Sequence, residues 1–131
     1  MKSLFICPHC QSVLNPNVKI LLVASYGKKR GLVLLSPQPG NYKFIADSSF
    51  EDALQPGANL RLFCPVCTEE LTSKASKKLV ELHLVKPGGE KVDVQFSRAY
   101  GVHATFVVDG ESVTAYGPDA GDYENINFFG A

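Results

Sequence analysis

Four cysteines stand in two close pairs, Cys7-Pro8-His9-Cys10 and Cys64-Pro65-Val66-Cys67. Thiols at this spacing are read as metal ligands rather than disulfides in a reducing compartment. The likeness of the pairs extends past the thiols. Leu4-Phe5 precedes the first and Leu62-Phe63 the second, and a leucine follows each pair four residues on, Leu14 and Leu71. The pattern is two copies of one unit, in which a strand carries in the first sulfur and a tight turn points both sulfurs the same way. Backbone N–H groups of such a turn donate to the sulfurs and offset their charge. Two turns face to face supply four tetrahedral thiolates, which suit zinc. Cys7, Cys10, Cys64 and Cys67 are therefore predicted to hold one Zn2+, with His9 turned outward between two ligands.

The paired turns resemble a zinc ribbon, or more broadly the rubredoxin-like group of paired cysteine knuckles, over residues 2–14 and 60–72. Members of that group often carry glycine directly after the second cysteine of a knuckle, where this chain has Gln11 and Thr68. The 53 residues between the pairs imply a structured insertion. Two other chemistries compete for the same thiols. Cys-Pro-His-Cys is also the active-site sequence of a disulfide oxidoreductase of the thioredoxin fold, but Asn15-Pro16-Asn17 stops the long helix that fold needs, and the second pair is left without a role. Iron held as in rubredoxin shares the tetrahedral all-thiolate geometry.

Around the knuckles the pattern is that of strands. Val18 to Tyr26 and Leu32 to Ser36 are apolar runs joined by Gly27-Lys28-Lys29-Arg30-Gly31, a hairpin. Leu32-Val33-Leu34-Leu35 lacks polar alternation, so this strand is expected to be covered on both faces. Tyr42 to Ile45 reads as a third strand, and Ser48 and Glu51 have capping-box spacing for a turn or two of helix. From Leu79 onward strict alternation predicts a four-stranded antiparallel meander, with hairpins at Pro87-Gly88-Gly89 and Asp109-Gly110. Pairing Leu84 with Val92, Val94 with Ala104 and Phe106 with Val113 aligns two polar rows, His83-Asp93-Thr105-Thr114 and Glu81-Gln95-His103-Tyr116. His83, Asp93, Gln95, His103 and Tyr116, with Arg98 in the adjoining loop, make up a candidate ligand or partner face. The plainer reading is the solvated side of a two-faced sheet. Residues 118–131 either dock on the sheet or serve as an acidic-aromatic tail.

The predicted fold class is mainly β, a zinc-ribbon-like knuckle half with an inserted hairpin over residues 1–75 and a meander over residues 76–131. With 131 residues, 45% of them apolar, the chain can bury a core. The 13 basic and 13 acidic side chains cancel, which weighs against strong non-specific binding to nucleic acid or anionic membrane. Lys28, Lys29 and Arg30 remain a local basic contact for phosphate or an acidic partner. No apolar run suits a signal peptide or membrane span, and the chain is expected in the cytoplasm. The expected function is a non-catalytic zinc-binding module that recognises a protein partner. A nucleic-acid-binding ribbon, or a small enzyme or redox protein using the polar face or the thiols, is the alternative.

Overall fold

Aliphatic and β-branched runs, broken by glycine turns, form two antiparallel sheets that bury one face each against the other. A computed structural model describes residues 4–16, 19–36, 44–110 and 112–123. Nine strands occur among them: β1 (Leu4–Ile6), β2 (Ile20–Tyr26), β3 (Lys29–Leu35), β4 (Phe44–Ala46), β5 (Arg61–Phe63), β6 (Leu79–Val85), β7 (Lys91–Ser97), β8 (Thr105–Asp109) and β9 (Ser112–Tyr116). One sheet has the order β1-β6-β7-β8-β9 and the other β4-β3-β2-β5, and neither closes into a barrel. The main buried cluster draws Phe5, Val80, Leu82, Val92 and Val94 from the first sheet and Ile20, Leu22, Ala24, Val33 and Leu62 from the second. No helix among the described residues is long and apolar enough to cross a membrane.

The β2–β3 hairpin is tighter than the five-residue turn read from its glycines. Tyr26 pairs with Lys29, leaving Gly27-Lys28 as the turn, and Gly27 takes the positive φ of 61° that a type II′ turn requires at its first central position. Phe50 packs over Gly31, where an added Cβ would meet Phe50 Cβ and Cγ at 3.9 Å, an ordinary contact. The helix α1 (Ser48–Glu51) starts inside the expected capping box, so the Asp47 carbonyl, not that of Ser48, accepts the first bonds, from the N–H groups of Phe50 and Glu51. Val18 and residues 42 and 43, which the expected strands included, lie outside the described residues.

In the meander the β6–β7 register is the expected one, Leu84 against Val92 and His83 against Asp93. The next register is not. Val94 faces Val107 rather than Ala104, and Phe106 faces Ala115 rather than Val113. The cause lies in the connection. The Arg98 carbonyl accepts from Leu60 N–H, Tyr100 N–H donates to the Ala58 carbonyl and Gly57 N–H to the Tyr100 carbonyl, so residues 98–100 are bonded to the segment before β5 and do not close a tight hairpin. The odd-numbered slip moves Phe106 and Val108 onto the face expected to be polar. There Leu79, Ala104 and Phe106 form a second buried cluster under a 3-10 turn, Ala120–Tyr123, whose Tyr123 ring meets Phe106 edge-on at 6.0 Å. The chain after the last strand thus docks on the sheet as far as residue 123. Tyr123 Oη also bonds Ser97 Oγ at 2.8 Å.

Candidate metal centre

Each knuckle is made by the strand before it. From β1, Cys7 N–H donates to the Ser12 carbonyl (3.0 Å), Gln11 N–H to the Cys7 carbonyl (2.9 Å) and Leu14 N–H to the Phe5 carbonyl (2.7 Å). From β5, the same three bonds recur at Cys64 to Glu69 (3.0 Å), Thr68 to Cys64 (3.0 Å) and Leu71 to Leu62 (2.8 Å). The repeated CxxC pair and trailing leucine are therefore a repeated backbone, in which Phe5 stands where Leu62 does, so the two Leu-Phe steps are offset by one residue. The leucines that anchor the two returns, Leu14 and Leu71, are buried in the main core. Proline second in each pair fixes φ at a position whose N–H the turn does not use. The next two N–H groups donate to the leading sulfur: His9 and Cys10 to Cys7 Sγ at 3.3 and 3.5 Å, Val66 and Cys67 to Cys64 Sγ at 3.3 and 3.4 Å. The residue that closes each turn sits in the left-handed region, Gln11 at φ 65° and Thr68 at φ 64°. A positive φ usually calls for glycine, and the turn is kept here without it.

The knuckles face each other. Cys7 Sγ lies 3.7 Å from Cys67 Sγ and Cys10 Sγ 3.7 Å from Cys64 Sγ, and all four sulfurs lie within 4.8 Å of one another. No disulfide joins them. A metal bonded tetrahedrally to thiolates at about 2.3 Å needs sulfur–sulfur edges of about 3.8 Å, so both of these separations match an edge of the coordination polyhedron. Cys7 and Cys64 are fully buried, and burial pushes the Cys7 thiol up to about 12. The Ser12 hydroxyl, 3.2 Å from Cys10 Sγ, instead lowers that thiol to about 6. Four thiolates packed this closely repel one another, and a bound cation removes the repulsion. The cluster can hold a metal with every position filled by protein.

The residues of the expected polar face separate. His83 and Asp93 lie opposite each other, and Glu81 joins them: His83 Nε2 is 3.3 Å from Glu81 Oε2 and 3.3 Å from Asp93 Oδ1. Gln95 is buried and accepts from the Ser73 hydroxyl. Arg98 turns toward the second knuckle, where it binds Glu70 Oε2 at 3.2 Å and Thr72 Oγ1 at 2.8 Å. Burial works to raise Glu70, but bonds from Arg61 and Arg98 outweigh it and hold this carboxyl below the usual range. His103 precedes β8, and its backbone N–H donates to Asp119 Oδ2. Tyr116 pairs with Thr105 and so falls on the face opposite to Gln95 and Phe106. The two uninterrupted rows therefore do not form, because the β7–β8 slip exchanges the faces of the last two strands.

The outer face of the four-stranded sheet carries what the sequence reading missed. Phe63-Val23-Leu32 and Leu21-Leu34-Ile45 are cross-strand rows on that face, followed by Arg61-Ser25-Arg30. Leu32 is 56% and Ile45 40% exposed, against the expectation that β3 would be covered on both sides. Its four consecutive apolar residues were the available signal, since only alternate ones reach the core. Lys28, Lys29 and Arg30 are exposed at the hairpin, and the Arg30 and Arg61 guanidinium groups lie 5.0 and 5.2 Å from the Phe63 ring centre. Comparison of the chain with protein-family models, curated proteins and solved structures finds no match.

Proposed function

We propose that this chain is a small non-catalytic zinc protein, in which Cys7, Cys10, Cys64 and Cys67 hold one structural Zn2+ and a sheet face recognises a protein partner. The observation that carries the zinc reading is the pair of knuckles with matching backbone bonds and sulfur–sulfur edges of 3.7 Å. Four protein sulfurs leave no coordination position for substrate, which is the arrangement of structural rather than catalytic zinc. It is also the arrangement named above for zinc ribbons and rubredoxin-like knuckles. Elemental analysis of protein purified without added metal tests it. One zinc per chain is the expected result. One iron per chain, or a metal-free chain with a Cys7–Cys10 disulfide, refutes it.

The recognition reading rests on the outer face of the four-stranded sheet. Apolar patches left open to solvent mark contact sites, and here the exposed Leu32 and Ile45 stand among half-buried Leu21, Val23, Leu34 and Phe63, with Arg30 and Arg61 in the next row and Lys28 at the turn. Charge complementarity selects a protein partner whose own patch is apolar with carboxylates at its rim. Leu32→Asp with Ile45→Asp keeps the core side of the sheet intact and places negative charge in the patch. Partners retained by the wild type should be lost by this folded variant. Equal retention by both moves recognition away from this face.

A further inference from the structure

Away from the cysteines, one group of side chains has a geometry that hydrogen bonding alone does not account for. Glu81 and His83 on β6 and Asp93 on β7 project from one face of the five-stranded sheet. The His83 Nε2 atom sits 3.3 Å from a carboxylate oxygen of each acid, and one ligand atom from each of the three residues falls within 4.8 Å of the others. A single ring nitrogen carries at most one hydrogen, so it cannot make two good linear bonds at once. The Glu81 side chain is only 9% exposed. Its other bond is a long one of 3.4 Å from the Lys74 backbone N–H, and among the described residues no lysine or arginine pairs with it or with Asp93. A buried carboxylate, a second carboxylate and one imidazole leave net negative charge in a partly desolvated place, which is costly without a cation.

We propose that Glu81, His83 and Asp93 form a second cation site, which takes a first-row divalent transition metal with solvent completing its coordination. Metals of this class bind imidazole nitrogen and carboxylate oxygen at about 2.0 to 2.2 Å, so adjacent ligand atoms lie about 3.0 to 3.4 Å apart. Both 3.3 Å separations fall in that range. Asp93, 43% exposed at its side chain, has the freedom to swing and close the remaining edge. Mixed imidazole and carboxylate ligation favours this class over magnesium and calcium, which take oxygen. The row continues to Ile6 on one side of His83 and to Val108 on the other side of Asp93, so apolar neighbours flank the ligands along the sheet. The site shares no ligand with the cysteine cluster, and it stands or falls independently of which metal the cysteines hold.

Co2+, added to protein that retains the metal with which it purifies, is the probe. Amide signals of residues 81–83 and 92–94 in the NMR spectrum should shift and broaden most, with a stoichiometry of about one added ion per chain, and the effect should fall with distance from His83, so that it is weaker at the knuckle turns of residues 8–11 and 65–68. Asp93→Asn and, separately, His83→Gln should weaken that response by about tenfold or more, since each removes one of three protein ligands. Asp93 is exposed enough that its variant tests the ligand without emptying a core position. The proposal is overturned if saturating Co2+ leaves residues 81–83 and 92–94 unchanged, if broadening is confined to the knuckles, or if both variants respond as the wild type does.

Discussion

Thr68→Gly should stabilise the folded protein although it deletes a side chain. Thr68 holds φ 64°, where the Cβ of an L-residue crowds the following carbonyl at a cost of roughly 1 to 2 kcal/mol, and β-branching makes that region worse still. Glycine removes this cost but frees the unfolded chain, which returns about 0.4 to 1 kcal/mol of it. The hydroxyl contributes little in compensation, because its 2.6 Å contact is with the carbonyl of the adjacent Cys67 and lies in solvent. The balance is about 0.5 to 1 kcal/mol in favour of glycine, a rise in Tm of roughly 2 to 4 °C for a chain of this size. Thermal unfolding of metal-loaded protein reads it. Thr68→Ala retains the Cβ and is the control, expected to recover only the part due to branching. Gln11→Gly at φ 65° should gain less than Thr68→Gly, since Gln11 is unbranched and its amide bonds the Pro8 carbonyl at 3.2 Å. A Tm for Thr68→Gly at or below that of wild type, or an equal gain from Thr68→Ala, refutes the argument from backbone strain.

Removing the metal should loosen both sheets at the knuckles, since binding at a site absent from the unfolded chain becomes folding free energy of about 10 kcal/mol or more, comparable with the whole stability of a domain. Hydrogen exchange before and after chelation should show protection lost in Leu4–Ile6 and in Arg61–Phe63, the strands that lead into the ligands, and unchanged protection in both would count against a structural role. Glu70 supplies a pH test. A carboxyl held below its unfolded value stabilises the fold above about pH 4.3 to 5 and loses that contribution as pH falls through its folded value, so the stability gap between wild type and Glu70→Gln should be full at pH 7 and shrink on acidification. A gap that does not change with pH would mean that the Arg61 and Arg98 bonds do not depend on the charge of Glu70.

What could be read from the sequence was local. Pro87-Gly88-Gly89 set the β6–β7 register, and the CxxC pairs with their trailing leucines gave two knuckles whose backbone bonds agree one for one, while the two Leu-Phe steps prove offset by one residue, with Phe5 standing where Leu62 does. What could not be read was set by distant pairing. Alternation in Val102, Ala104, Phe106 and Val108 marks a face that will be buried, but not by what. The expected pairing of Val94 with Ala104 put Ala104 and Phe106 on the face of Val94, whereas both pack under Tyr123, and the partner that fixes their register is residues 58–60. An alternating strand fits either side of a sheet equally well when both sides are covered, and its own sequence does not say that a 3-10 turn after the last strand covers one of them. The same limit explains Arg98. In sequence it stands in a loop next to polar strand residues. In space that loop is drawn toward the second knuckle, and the guanidinium is spent on Glu70 and Thr72.

The position of the knuckles connects the cysteine cluster to both sheets. The first hangs from β1, which pairs with β6 in the five-stranded sheet, and the second from β5, which pairs with β2 in the four-stranded sheet. A metal shared by the two knuckles is therefore a tie between sheets and not a staple within residues 1–75 alone. The residue immediately before each leading ligand matters as much. Ile6 precedes Cys7 and lies opposite His83, at the margin of the Glu81, His83 and Asp93 cluster. Phe63 precedes Cys64 and lies opposite Val23, where it anchors the apolar rows and carries the Arg30 and Arg61 guanidinium groups on its ring. Strand side chains alternate in direction, so fixing a cysteine toward the metal fixes its predecessor toward the outer face of its sheet. The apolar step into each CxxC pair, Phe5-Ile6 before the first and Leu62-Phe63 before the second, thus turns one residue to the core and the next to the opposite face of its sheet, where Ile6 is buried and Phe63 half-buried.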